Sequence, residues 1–120
     1  METKIYTVLT GNSTVETLVN TRIYPVVMPQ NASLPAITYH ETANNPVNYL
    51  GGKTGLENPH IAINCWATAY DQANDVAKAV NIAMDGARTF RAVMINQVDV
   101  FDPEVNIYAK AQLYSCWNQE

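Results

Sequence analysis

The sequence predicts an α+β domain: an antiparallel sheet of about four strands, arranged as two hairpins, with an amphipathic helix and a short N-terminal helix packed on one face. Three observations predict it. Residues 57–70 alternate apolar and polar with a period of two, residues 71–85 carry an apolar stripe at helical spacing, and residues 105–117 alternate again. Strand pairs flanking one helix, without repeated strand–helix–strand units, favour hairpins over a parallel sheet.

In chain order, Ile5, Val8 and Leu9 sit at helical spacing and Gly11-Asn12 is a stop, so residues 3–10 read as a short first helix. Prolines at 25, 29 and 35 forbid a helix or a central strand through the next segment. It reads as a helical turn near 14–19 and an extended connector, with a strand opening at Ala36 and running through Tyr39. In 57–70, Ile61, Ile63, Cys65, Ala67 and Ala69 share one face, and His60, Asn64, Trp66, Thr68 and Tyr70 the other. Asp71 is a suitable N-cap for the helix 71–85, whose stripe is Ala73, Val76, Ala77, Val80, Ala83 and Met84, and Gly86 is placed to end it. Residues 91–101 are strand-like with a slip near Asn96-Gln97, where a bulge fits, and Asp102-Pro103 is a turn. The last strand, 105–117, sets Val105, Ile107, Ala109, Ala111 and Leu113 against Asn106, Tyr108, Lys110, Gln112 and Tyr114. The apolar set is expected to face the helices.

The 120 residues make one domain, with no internal repeat or low-complexity segment. Charged residues are 15% of the chain against a usual figure of about 25%. Net charge is −4, and the seven Lys and Arg are scattered, so sequence-specific nucleic-acid binding is not expected. No apolar run reaches the ~20 residues that cross a bilayer, and the N-terminus lacks the pattern of a signal peptide. The expected product is soluble and made in the cytoplasm.

The stretch Tyr49-Leu50-Gly51-Gly52-Lys53-Thr54-Gly55 ends like a phosphate-binding loop. That motif needs a glycine five positions before Gly52, where Val47 stands, and a helix after it, where Leu56 to Pro59 lead into a strand. Spacing and context both fail, and no cofactor is expected. His40, His60, Cys65 and Cys116 lack metal-ligand spacing, so no metal is expected. With Cys65 facing the helices and Cys116 facing away, no disulfide is expected either. The carboxylates are isolated, and no catalytic set emerges.

Two features remain. The sheet face turned from the helices is expected to carry Trp66, Tyr108 and Tyr114 among Asn, Thr and Gln, which is an interface composition or else ordinary cross-strand aromatic pairing. Residues 44–57 form a long inter-strand loop or arm where a hairpin needs only ~2–5 residues.

Arg22-Ile-Tyr-Pro25, Leu34-Pro35 opening a strand, Gly55-Leu56, the alternating strand ending in Trp66-Ala67, Ala73 with the Ala-rich helix, and the closing hairpin "QVDVFDPEVNIYAKAQLYSCW" follow in order over residues 22–117. This pattern resembles the tail completion proteins of long-tailed bacteriophages, also described as tail terminator or tail-to-head joining proteins. His60-Ile61 is its least typical part, where a more basic character is usual. The resemblance implies a non-enzymatic virion protein at the head-proximal end of the tail, assembled in the host cytoplasm as a ring, usually hexameric. Its implied partners are further copies of itself, the tail tube protein and the head connector or stopper protein. DNA would pass through such a ring, and a net acidic chain would not hold its phosphates. The expected interface residues are Tyr49, Leu50, Gly51, Gly52, Lys53, Thr54 and Gly55 at the arm's tip, with Trp66, Tyr108 and Tyr114 on the sheet. Other readings of the residues alone are a small ligand-binding or enzymatic domain with a pocket between helix 71–85 and the sheet, or a dimeric protein-binding module using the aromatic face.

Overall fold

The computed structural model describes residues 2–20, 22–27, 33–49, 52–87, 90–104 and 106–119. Two short helices open the chain, α1 (Glu2–Thr10) and α2 (Ser13–Val19). Gly11 lets them turn sharply: a Cβ there would lie 3.0 Å from the Thr7 carbonyl oxygen. Asn12 then caps α2, its side-chain oxygen accepting from the amides of Thr14 and Val15 at 3.0 and 3.1 Å.

Five strands and a third helix follow: β1 (Ile23–Pro25), β2 (Ala36–Tyr49), β3 (Gly52–Ala67), α3 (Tyr70–Asp85), β4 (Arg91–Asp102) and β5 (Ile107–Gln119). They form one sheet in the order β1-β2-β3-β5-β4, antiparallel except that β1 runs parallel to β2. The class is the α+β one expected, with five strands in place of about four. The extra strand is β1, three residues that read as connector because Pro25 ends them. Only the tertiary pairing of Ile23 with Ile37 makes them a strand, and Pro25 suits its place on an edge.

One local expectation is corrected and another is borne out. The N-cap of α3 is Ala69, without a side-chain cap, and Asp71 sits inside the first turn, where its charge complements the helix dipole. The alternation slip in β4 is a register shift between Met94 and Asn96 that leaves Ile95 unpaired, one residue before the slip seen in the sequence. Val105, expected to begin the last strand, lies outside the described residues.

The core is the helix-facing side of the sheet. Ile5 and Leu9 of α1, Val15 and Val19 of α2, and Val76, Val80 and Met84 of α3 close over Ile37, Ile61, Ile63 and Cys65. Strand β3 contributes every second residue from Ile61 to Cys65, as the period of two requires.

Candidate functional site

The last strand faces the opposite way from its expected orientation. Cys65 pairs with Lys110 and Ile61 with Tyr114, so Tyr108, Lys110, Gln112, Tyr114 and Cys116 lie on the helix side. Polar partners waiting on α3 and β4 explain it. Lys110 donates to Asn74 at 3.0 Å, pairs with Asp99 at 3.2 Å and lies 5.5 Å from the centre of the Tyr70 ring. Gln112 donates both amide hydrogens, to the Ala77 carbonyl at 3.1 Å and to Gln97 at 3.0 Å. Its oxygen accepts from the Tyr114 hydroxyl at 2.9 Å, beside Asn81. A buried polar side chain costs little once each donor and acceptor is matched. Among the described residues no buried side-chain nitrogen or oxygen lacks a partner. This polar ladder fills the seam between α3 and the sheet, where one reading of the sequence places a ligand pocket.

The expected interface residues therefore separate. Tyr114 is 1% exposed and belongs to the core. Tyr108 is half-buried on the helix side, its ring 6.1 Å from that of Tyr70 and 4.6 Å from that of Phe101. Trp66 is on the bare face, paired with Ala109, and donates its indole N–H to Thr38 at 2.9 Å. Leu50 and Gly51 lie outside the described residues. Tyr49, Gly52, Lys53, Thr54 and Gly55 fall at the ends of β2 and β3, which pair Tyr49 with Gly52 and Asn48 with Lys53. Strand β3 begins at Gly52, so no helix follows the Gly-Lys-Thr. The pairing of β3 with β5 reaches as far as Leu56 opposite Gln119; Gly52–Gly55 lie beyond it, with Gly52 and Lys53 paired to β2.

The bare sheet face is set out by the same registers. It carries Thr38 and His40 of β2, His60, Ala62, Asn64 and Trp66 of β3, alternate residues of β5 from Ala109 to Trp117, and Val93, Val98 and Val100 of β4. Val93, Ile95, Val98 and Val100 are each about half exposed. On β4 this apolar run lies between Arg91 at one end and Asp102 at the other. An apolar, charge-poor patch rimmed by charge is the anatomy of a protein interface. The alternation in β4 carried this signal in the sequence, hidden by the slip at Ile95.

One further polar cluster lies where β3 and β5 meet. His60 and Ser115 face each other across β3 and β5, yet Asn58 engages both: its amide donates to the Ser115 hydroxyl at 2.9 Å and its oxygen lies 3.3 Å from His60 Nε2. A shallow cleft between α1 and the end of α3, bordered by Thr7, Val8, Ile82 and Ala83, has no acid, base or thiol in its lining. Among the described residues no three His, Cys, Asp or Glu converge as metal ligands, and no helix is long and apolar enough to cross a membrane.

Both cysteines are free and buried on the helix side, which corrects the outward placing of Cys116. They stay apart because Cys65 pairs with Lys110, six positions from Cys116 and so about 20 Å along the strand. Burial pushes each thiol from about 9 up to about 12, with the Lys110 charge opposing the rise at Cys65. The thiols stay neutral in the fold while those of the unfolded chain ionise above pH 9. Stability therefore falls as pH rises from 9 towards 12. A disulfide reagent at pH 8 should react slowly with the native chain and label two thiols at once in urea; fast labelling of the folded protein would contradict the burial.

Residues 3–116 match the family model described as tail completion protein gp17. No curated protein matches the chain in sequence. Among solved structures, a chain of the virion of a native gene transfer agent particle superposes with a TM-score of 0.73 at 16% identity, covering all of this chain and 95% of that one. At that identity the likeness concerns the fold.

Proposed function

The chain belongs to the tail completion protein gp17 family, and from that premise we propose that it forms a ring at the head-proximal end of a phage tail, ending the tail tube and joining it to the head connector. At the coarser level it is a structural protein of the virion tail. The observation that carries the finer reading is the family match over nearly the whole chain.

The surface chemistry supports that reading. A ring subunit needs two contact surfaces on each copy, because neighbours in a ring meet through different patches. The bare sheet face and the tip of the β2–β3 hairpin are two such surfaces, on different parts of an elongated molecule with extents of 52 × 28 × 22 Å. We take the role to be non-catalytic, with copies of this chain, the tail tube protein and the connector as partners, and no cofactor. In this arrangement DNA passes through the lumen. Six copies are the expected number.

Native mass spectrometry of the purified chain mixed with tail tubes is the direct test. The proposal expects a discrete species of several copies, released from the tube ends as a closed set. Monomer alone, with and without tubes, would overturn it.

A further inference from the structure

We propose that the free chain pairs with a second copy of itself through β4, edge to edge about a two-fold axis at Gln97, giving one continuous sheet across two subunits. This goes beyond the ring, whose contacts are head-to-tail.

The first ground is that β4 is a long and weakly protected edge. Natural sheets blunt exposed edges with short strands, proline, lysine, β-bulges or charges turned inward, since a free row of backbone N–H and C=O groups templates another strand. The opposite edge follows this rule: β1 is three residues long and ends in Pro25. Strand β4 follows it only in part. It runs twelve residues, Arg91–Asp102, with neither proline nor lysine, and most of its side chains are exposed; its one bulge, at Ile95, leaves a paired run on either side. Its one inward charge, Asp99, is already held by Lys110 and by the Tyr70 hydroxyl.

The second ground is that the strand is complementary to its own reverse. With Gln97 on the axis, Asp102 stands opposite Arg91, Val100 opposite Val93, and Val98 opposite the Ile95–Asn96 step of the other copy. Antiparallel partners must share a face, and a slip of one residue would break that. Here each pair does share one. Arg91, Val93, Asn96, Val98, Val100 and Asp102 are all on the bare side, because the extra residue at Ile95 shifts the alternation within each copy. Without that irregularity Arg91 and Asp102 would point to opposite faces. The register thus places an ion pair at each end of an apolar stripe, and both copies supply the same patch, as a two-fold contact requires.

A two-fold pair cannot itself propagate into a ring. It is the resting form of the free chain, covering the apolar edge until assembly exchanges it for head-to-tail contacts.

Light scattering of the full chain after size exclusion, at about 50 µM and low salt, tests this. The wild type should run with the mass of two chains. Arg91→Asp sets like charges together at both ends and should weaken the pair about tenfold or more, while Arg91→Asp with Asp102→Arg should restore it. Gln97→Cys, with the native thiols buried, should form a two-chain disulfide under mild oxidation. A monomeric wild type, a pair indifferent to Arg91→Asp, or a Gln97→Cys chain that does not cross-link overturns the proposal. Rings on tail tubes from a chain with no two-fold species would overturn it and leave the proposed function standing; a two-fold pair that never forms rings would do the reverse.

Discussion

Truncating Tyr114 to alanine is expected to destabilise the domain by about 3–5 kcal/mol, the usual cost of deleting a fully buried aromatic ring. A domain of this size has about 5–15 kcal/mol in hand, so the variant should be marginal at room temperature and show a much lower urea midpoint. Tyr114→Phe isolates the hydroxyl. It keeps the ring and leaves the Gln112 oxygen without its 2.9 Å donor, for a loss of about 1–3 kcal/mol. If Tyr114 stood on a solvated sheet face, as alternation in 105–117 suggests, both substitutions would fall within about 0.5 kcal/mol of wild type. The pair of midpoints decides which way β5 faces.

The second large effect is on assembly. Deleting residues 50–54 removes the start of β3, from Gly52, in a stretch lying beyond the β3–β5 pairing. The fold should survive, with circular dichroism unchanged and a stability change of about 1 kcal/mol or less. Completion of tails should fall far more. A buried interface anchor is worth about 2 kcal/mol, or roughly thirtyfold in affinity, and every subunit of a ring would lose its tip. The readout is the yield of joined particles from an extract supplemented with the variant. Loss of the fold itself, or full joining activity without the tip, would remove the tip from the interface.

How much of this was legible in the sequence depends on where each residue finds its partners. Helix α3 and strand β3 announce themselves, because Val76, Val80 and Met84, and Ile61, Ile63 and Cys65, pack by hydrophobicity alone, and hydrophobicity is what periodicity measures. Strand β5 misleads for the converse reason. Its buried face is Lys110, Gln112 and Tyr114, made compatible with burial by Asn74, the Ala77 carbonyl and Asn81 on α3 and by Gln97 and Asp99 on β4. Those partners are remote in sequence. The spacing of Asn74, Ala77 and Asn81 along one line of the helix was the available clue. The three residues of β1 carry too little pattern to be read without the strand they join. In β4 a single unpaired residue, Ile95, disguised a continuous apolar face. The family resemblance came through because it rests on the order of proline, glycine and tryptophan landmarks, which does not depend on which face a strand presents.

The proposed ring ends a tail. Electron microscopy of tail tubes incubated with the purified chain tests it most directly, with the chain tagged by a small gold label. A closed ring of label is expected at one end of each tube, the end that accepts a head. Label spread along the tubes, or tubes left bare beside monomeric protein, would contradict it.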